Sequence, residues 1–283
     1  MSMKYLVLQS PILDTQLREQ IAAIAEADQV IQVRNHVVRF NGFNESLLED
    51  IRHWCQQHKV DMAVLDELRS LNDIKILAMD MDSTLINIEC VDEIAGCAGR
   101  KDQVAEITEA TMRGEIKDFK ESLIKRVALL EGTSAKCLQT IYDDILHLNP
   151  GAETLIETAH KHGITTLLVS GGFTFFTSRL KERLDLDYAY ANQLEVLDGK
   201  LSGRVLGDIL DGDAKANYLE TLMEQLGATP EQCIAIGDGS NDLPMMSKVD
   251  YSVAYMAKPK VQEQARFSIN HNGLDAVLNF FDN

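Results

Sequence analysis

A short apolar run that ends in two aspartates is the feature that most restricts how this chain can fold. Residues 76–79 are apolar and too few to form a helix by themselves, so they predict a buried strand. Asp80 and Asp82 follow at once, together with Ser83 and Thr84. In an open α/β sheet, the side chains at the carboxyl end of a parallel strand lie in the crevice where ligands bind. The pattern therefore predicts a functional site at this strand end, with Asp80 as the candidate nucleophile.

The rest of the chain beyond residue 76 predicts a layered α/β protein. Helical periodicity runs from about residue 87 to 148, and strands then alternate with helices toward the C-terminus. Such alternation favours a doubly wound, Rossmann-like parallel sheet. Two further predicted strands end in polar residues, at Ser170-Gly171-Gly172 and at residues 237–242. Each cluster alone is ordinary turn chemistry, but parallel strands would bring all three strand ends to one edge of the sheet.

The first part of the chain predicts a separate, smaller unit. Residues 1–72 follow a β-α-β-β-α-β order, which is the ferredoxin-like α+β plan, and no catalytic groups cluster in it. We therefore expect an N-terminal domain and a larger domain whose core is interrupted by a helical cap. The expected bounds are 1–72 for the first domain and 73–283 for the second, with its core at 73–86 and 149–283 and its cap at about 87–148.

Charge and cysteine content limit the class of partner. With 27 basic against 44 acidic residues, the net charge is −17, which argues against nucleic acid or an anionic membrane surface as a partner. No apolar run approaches the roughly 18 residues that a membrane span requires. The five cysteines form no C-x-x-C pair, and their odd number suits free thiols in a reducing compartment. We therefore expect a cytoplasmic protein that acts on a small molecule, and a phosphate ester remains compatible with this composition.

The polar residues at the three strand ends suit phosphoryl chemistry. Asp80 and Asp238 offer the hard oxygen ligands that Mg²⁺ prefers. A carboxylate beside Asp82 should raise the pKa of Asp82, which would let it protonate a leaving oxygen and later deprotonate a water. Ser170 and the neighbouring backbone N–H groups can bind phosphate oxygens. Lys215, just inside a predicted helix, can act as a point charge on phosphate, although a solvated surface lysine is an equal alternative.

Taken together, these motifs resemble a known family. Four motifs in order are similar to those of the haloacid dehalogenase-like phosphohydrolases, over roughly residues 74–270. Glu89, Phe119, Arg126 and Phe173 make the resemblance closer to the phosphoserine phosphatase branch of that family, and Ser240 departs from the alanine frequent there. The motifs are Asp80-Met-Asp82-Ser-Thr84, Ser170-Gly171-Gly172, Lys215 and Gly237-Asp238-Gly-Ser-Asn241-Asp242.

The resemblance implies a catalytic scheme. Asp80 would form an aspartyl-phosphate and Asp82 would be the general acid and base. Mg²⁺ would be held by Asp80, the Asp82 backbone carbonyl and Asp238, with support from Asp242. The implied reaction is the hydrolysis of O-phosphoserine to L-serine, the last step of serine biosynthesis.

The resemblance also implies the substrate-binding residues. Glu89 would take the substrate's ammonium group and Arg126 its carboxylate, although Arg126 on a charged helix also suits a solvated face. The other implied residues are Ser170, Gly171 and Lys215 for the phosphate, Met112, Phe119 and Gly172 for closing the pocket, and Asn241 for orienting the site. For Met112 and Phe119, a plain core position is an equal alternative.

Two other functions stay open from the sequence. A related phosphatase or phosphotransferase could act on another small phosphomonoester. A regulatory protein could bind an amino acid through residues 1–72 and keep the larger domain as a scaffold, although the intact acidic motifs speak against this. Residues 1–72 are similar to ACT-type regulatory domains, but the loop at residues 9–14 lacks the glycine frequent at their ligand site. Dimerisation or a structural role is therefore favoured over serine binding.

Overall fold

The computed structural model contains two sheets. It describes residues 4–112, 116 and 118–282, without the side chains of Thr111 and Met112. The strands are β1 (Tyr5–Gln9), β2 (Gln29–Arg34), β3 (Val37–Asn41), β4 (Asp61–Leu65), β5 (Ile76–Met79), β6 (Thr165–Phe173), β7 (Tyr188–Leu197), β8 (Lys200–Leu206), β9 (Cys233–Gly237), β10 (Tyr251–Tyr255) and β11 (Phe267–Ile269). The helices are α1 (Thr15–Ile24), α2 (Leu48–Gln57), α3 (Cys90–Cys97), α4 (Lys101–Met112), α5 (Phe119–Ala128), α6 (Lys136–Thr140), α7 (Ala152–Lys161), α8 (Thr174–Leu184), α9 (Gly212–Leu226), α10 (Leu243–Met246) and α11 (Pro259–Gln264).

The larger sheet places β5 at its centre. Its seven strands have the order β11-β10-β9-β5-β6-β7-β8, and all neighbouring pairs are parallel except β7 with β8, which form an antiparallel hairpin. The four residues of β5 are buried, as the apolar run predicts. Met79, the last residue of β5, pairs with Leu168 on one side and Ile236 on the other. The three polar strand ends therefore lie on adjacent strands, and the predicted α/β fold class is confirmed.

The cap is the set of helices α3 to α6, inserted between β5 and α7. The chain enters and leaves this segment at one place, because Ile86 and Leu148 form an antiparallel bridge. Asn149 fixes the same place, since its Nδ2 donates to the backbone oxygens of Thr84 (2.8 Å) and Ile86 (3.1 Å). The two connections of the cap are thus held next to each other, immediately after the loop that begins at Asp80.

A disulfide inside the cap corrects one expectation. Cys97, at the end of α3, is bonded to Cys137 in α6, with 6.4 Å between their Cα atoms. The expectation that all five cysteines are free is therefore wrong for this pair, while Cys55, Cys90 and Cys233 are free and buried. The two partners lie 40 residues apart in the sequence. Only the packing of the cap helices brings them together, so their spacing could not reveal the bond.

The smaller sheet is antiparallel and follows the predicted ferredoxin-like order, β2-β3-β1-β4. One face is covered by α1 and α2 and buries Leu6, Leu8 and Phe40. The opposite face contributes Val7 and Leu65 to the main apolar cluster of the larger unit. The two units are therefore packed against each other through apolar side chains. Among the described helices, none is both long and apolar enough to cross a membrane.

Candidate active site

Three carboxylates meet at the carboxyl ends of β5 and β9. Asp80 follows β5, Asp238 follows β9, and Asp242 lies one turn beyond Asp238. One carboxylate oxygen from each lies within 4.8 Å of the others. This is the convergence that the parallel sheet predicts for polar residues at adjacent strand ends.

Lys215 lies among these carboxylates and is completely buried. Its Nζ donates to Asp80 Oδ1 and to Asp242 Oδ1, both at 2.6 Å. The alternative of a solvated surface lysine is therefore wrong. Asp211 caps α9 by accepting from Ala214 N at 2.9 Å, and this start of the helix directs Lys215 beneath the strand ends.

The remaining oxygens of the cluster are held by short local contacts. Asp242 Oδ2 accepts from the backbone N–H groups of Asp238 (3.1 Å) and Gly239 (2.9 Å). A Cβ at Gly237 would lie 2.5 Å from the Asp242 side chain, so this close approach requires glycine. Thr84, buried beside the cluster, donates its hydroxyl to Asp238 Oδ1 at 3.1 Å. Thr84 belongs to the first motif, but the motif does not predict this contact.

The crowding of acids changes their protonation. Burial raises the pKa of Asp80 to about 7, with a further increase from Asp242 that Lys215 opposes. Burial and the charge of Asp80 raise the pKa of Asp238 to about 8. Burial lowers the pKa of Lys215, but Asp242 and Asp80 outweigh it and keep the ammonium protonated. When all three carboxylates are ionised, they and the Lys215 ammonium carry a net charge of −2, so this form of the donor set suits a divalent cation with a preference for oxygen ligands.

Asp82 lies on the cap side of this cluster. Its Oδ1 accepts from Cys90 N, the first residue of α3, at 3.3 Å. Its Oδ2 lies against the end of β6, since a Cβ at Gly172 would be 2.7 Å from that oxygen. Burial, followed by the charge of Glu89, raises the pKa of Asp82 well above its usual range, so the direction is the predicted one but burial, not a neighbouring carboxylate, is the main cause.

The end of β6 bulges away from its neighbour. The β6–β7 register runs to Val169, shifts, and resumes at Phe173, so residues 170–172 lie outside the ladder. Ser170 is buried, and its Oγ accepts from Gly172 N at 2.9 Å. The bulge brings this segment to the same edge as Asp82, beside the acidic cluster.

The cap supplies the second half of the candidate site. Ser83, with a left-handed φ of +56°, donates its hydroxyl to Glu89 Oε1 at 2.7 Å. Phe119 covers the end of β6, since a Cβ at Gly171 would lie 2.8 Å from Phe119 Cζ. Burial lowers the pKa of Arg126, while the charges of Glu89 and Asp92 oppose the shift. Arg126 is half-buried beside these acids, which favours a role in the site over a fully solvated face.

Two further predicted residues lie in the Asp238 loop and at the end of α4, and one ion pair near the site was not predicted. Asn241 lies in the Asp238 loop, where its backbone oxygen would be 2.7 Å from a Cβ at Gly212. Met112 ends α4, and its side chain lies outside the described part of the structure. Lys120 of the cap pairs with Asp211 of the core at 3.0 Å, next to Phe119. Nothing in the sequence signals this pair, because both residues suit ordinary exposed positions.

Comparison with known proteins agrees with this geometry. The family model for haloacid dehalogenase-like hydrolases matches residues 77–247. The chain belongs to this family of hydrolases. A phosphoserine phosphatase from Polaromonas sp. is 56% identical over 212 residues, which cover 74% of this chain and 90% of that protein.

Two solved structures extend the comparison. A probable phosphoserine phosphatase from Vibrio cholerae, in its unliganded form, has a TM-score of 0.83 and 34% identity, covering 98% of this chain and 85% of that one. A phospho-aspartyl intermediate analogue of a phosphoserine phosphatase has a TM-score of 0.69 and 38% identity, covering 74% of this chain and 99% of that one. Within its family, the chain is similar to phosphoserine phosphatases in both sequence and fold.

Proposed function

We propose that this chain is a phosphoserine phosphatase, which hydrolyses O-phospho-L-serine to L-serine and phosphate. The observation that carries the proposal is the buried contact of Lys215 with Asp80 and Asp242, beside Asp238 and facing Asp82. A nucleophile, an acid and a cation-binding group in one crevice suit phosphoryl transfer better than a regulatory scaffold. The names of the similar proteins supply the substrate class.

Two aspartates carry the covalent chemistry. Asp80 attacks phosphorus, so that an Asp80 oxygen–phosphorus bond forms while the bond from phosphorus to the serine oxygen breaks. Asp82, held protonated by its raised pKa, gives its proton to the leaving serine oxygen. Asp82 then takes a proton from water, which attacks the phosphorus and releases phosphate and the Asp80 carboxylate. The solved phospho-aspartyl analogue of a similar protein supports this two-step scheme.

We propose Mg²⁺ as the cofactor of this reaction. Asp80, Asp238 and the Asp82 backbone oxygen would hold it, with Asp242 in support. The carboxylate oxygens of the cluster, and its net charge of −2 when Asp80, Asp238 and Asp242 are all ionised beside Lys215, fit this ion. When bound, Mg²⁺ neutralises negative charge on carboxylate and phosphate oxygens. Lys215 bridges Asp80 and Asp242 through its two hydrogen bonds and so fixes their positions.

The phosphate and the amino-acid part of the substrate would contact different elements. Ser170, Gly171 and Lys215 would bind phosphate oxygens, with Asn241 orienting the Asp238 loop. On the cap side, Glu89 would bind the ammonium group and Arg126 the carboxylate. Phe119, together with Met112 and Gly172, would close the pocket and exclude bulk water. Selectivity for an amino-acid phosphate would therefore reside in the cap.

A phosphate-release assay tests the proposal. A panel of monoesters that includes phosphoserine, phosphothreonine and p-nitrophenyl phosphate should show Mg²⁺-dependent turnover that a chelator abolishes, with phosphoserine preferred. Asp80→Asn keeps the size of the side chain but removes the nucleophile, so all turnover should stop. Activity that survives in this variant would overturn the mechanism.

Substrate choice is tested separately. Glu89→Gln combined with Arg126→Ala should abolish phosphoserine turnover and spare p-nitrophenyl phosphate. Lys125→Ala is the matched control, because this neighbour of Arg126 is half-exposed and pairs with Glu121 on the outside of α5. Equal loss for both substrates would favour the alternative, a phosphatase or phosphotransferase for another small phosphomonoester.

Three organisational proposals accompany this function. We propose that residues 1–72 and 73–283 are separate domains with the bounds given above, which the two independent sheets support. A homodimer through the N-terminal domain stays a prediction, and light scattering of the full chain tests it. A cytoplasmic location also stays a prediction, which fractionation of cells expressing the tagged chain tests.

A further inference from the structure

A buried asparagine occupies the gap that the β6 bulge leaves in the sheet. Asn192 of β7 is 2% exposed and pairs with Phe173 where the β6–β7 ladder resumes. Its side chain points to the bulged segment, where Nδ2 donates to the Gly171 backbone oxygen at 2.8 Å. The amide therefore satisfies a carbonyl that the interrupted ladder leaves without a strand partner.

The other end of the same amide holds a different element. Asn192 Oδ1 accepts from Leu210 N at 2.8 Å. Leu210 directly precedes Asp211, the cap of α9, and Lys215 lies in the first turns of that helix. One buried side chain thus joins the Ser170–Gly171 segment to the start of the helix that carries the buried lysine.

We propose that Asn192 is a positioning residue for phosphate binding, a role that rests on the proposed function. Ser170, Gly171 and Lys215 come from two segments that are far apart in sequence, and Asn192 bonds the backbone of both. The role needs one donor and one acceptor at fixed spacing. Aspartate of the same size lacks the donor when ionised, and leucine lacks both groups.

Two variants test this role. Asn192→Leu and Asn192→Asp should lower kcat/KM by about 10- to 100-fold, because displacements of about 1 Å in a positioned group have effects of this order. The inhibition constant for inorganic phosphate should rise by a similar factor. The ratio of phosphoserine to p-nitrophenyl phosphate turnover should stay unchanged, because the cap contacts of Glu89 and Arg126 are untouched.

Asn279→Leu is the matched control for lost stability. Asn279 is also buried, at 7% exposed, and donates to Gln9 Oε1 at 2.7 Å, on the interface with the N-terminal sheet. This variant should lower the melting temperature without changing the inhibition constant for phosphate. If Asn192→Leu does not fold, the isosteric Asn192→Asp carries the measurement.

The outcomes separate this inference from the proposed function. A parent chain without phosphatase activity would refute the proposed function. An active parent whose Asn192 variants bind inorganic phosphate as well as the Asn279 control would refute the positioning role alone. A changed substrate ratio in the Asn192 variants would also refute it, because the effect would then lie in the cap.

Discussion

The acidic cluster should make the metal-free protein less stable as the pH rises. Burial and Asp80 raise the pKa of Asp238 from 3.8 to about 8. The folded protein therefore keeps this proton at pH values where the unfolded chain has lost it, and stability falls with increasing pH up to about 8. Between pH 6 and pH 8, the linkage for Asp238 alone amounts to about 2 kcal/mol. For a chain of this size, that loss lowers the melting temperature by about 4–8 °C.

Thermal unfolding in the presence of a chelator measures this effect. The melting temperature should fall from pH 6 to pH 8 without a divalent cation, and added Mg²⁺ should remove most of the fall by stabilising the ionised carboxylates. Asp238→Asn is the control, because it removes the titrating group and keeps the side-chain size. The reasoning is refuted if the parent and Asp238→Asn lose stability in parallel over this range, since the titration would then lie elsewhere.

Three further changes probe the contacts of the site. Gly172→Ala would place a Cβ 2.7 Å from Asp82 Oδ2 and should lower kcat by about 100-fold in steady-state assays, whereas Gly96→Ala, with its nearest neighbour 3.9 Å away, should not. Phe119→Ala removes the ring over the β6 bulge and should raise KM for phosphoserine with only a small fall in the melting temperature. A KM equal to that of the parent chain would contradict the contact. Lys120→Ala removes the ion pair from cap to core and should weaken the dependence of kcat/KM on salt while leaving the melting temperature nearly unchanged.

Much of the fold is readable from local patterns. The run at residues 76–79 is confirmed as a buried strand, β5, because an apolar run of four residues bounded by polar ones is too short for a helix. The turn of the β7–β8 hairpin is also a local signal, since an Asp-Gly pair such as Asp198-Gly199 readily takes the positive φ angles that the turn requires. The three-residue strand β11 (Phe267–Ile269) is too short for a periodic signal, and only its pairing with β10 defines it.

The sequence predicts the candidate-site residues that lie in motifs, but not those that lie outside them. Polar residues at strand ends identify Asp80, Ser170 and Asp238, because parallel strands make their convergence predictable. The sequence does not single out Asn192, since a lone asparagine in a strand belongs to no periodic pattern. Its role depends on a bulge in another strand, β6. The burial of Lys215 depends on how α9 packs beneath the sheet, which no local pattern encodes.

The packing of the N-terminal sheet has a consequence for synthesis of the chain. Val7 and Leu65 share an apolar cluster with Leu274 and Phe280, and Asp61 accepts from the backbone of the loop that precedes them. The residues of this sheet leave the ribosome long before residues 274–281 do. The apolar face of the smaller sheet that packs against the larger unit must therefore stay exposed while the larger sheet is being translated. Early-made apolar surface of this kind is exposed to wrong partners, so the speed of translation and chaperone supply should affect the yield of this protein.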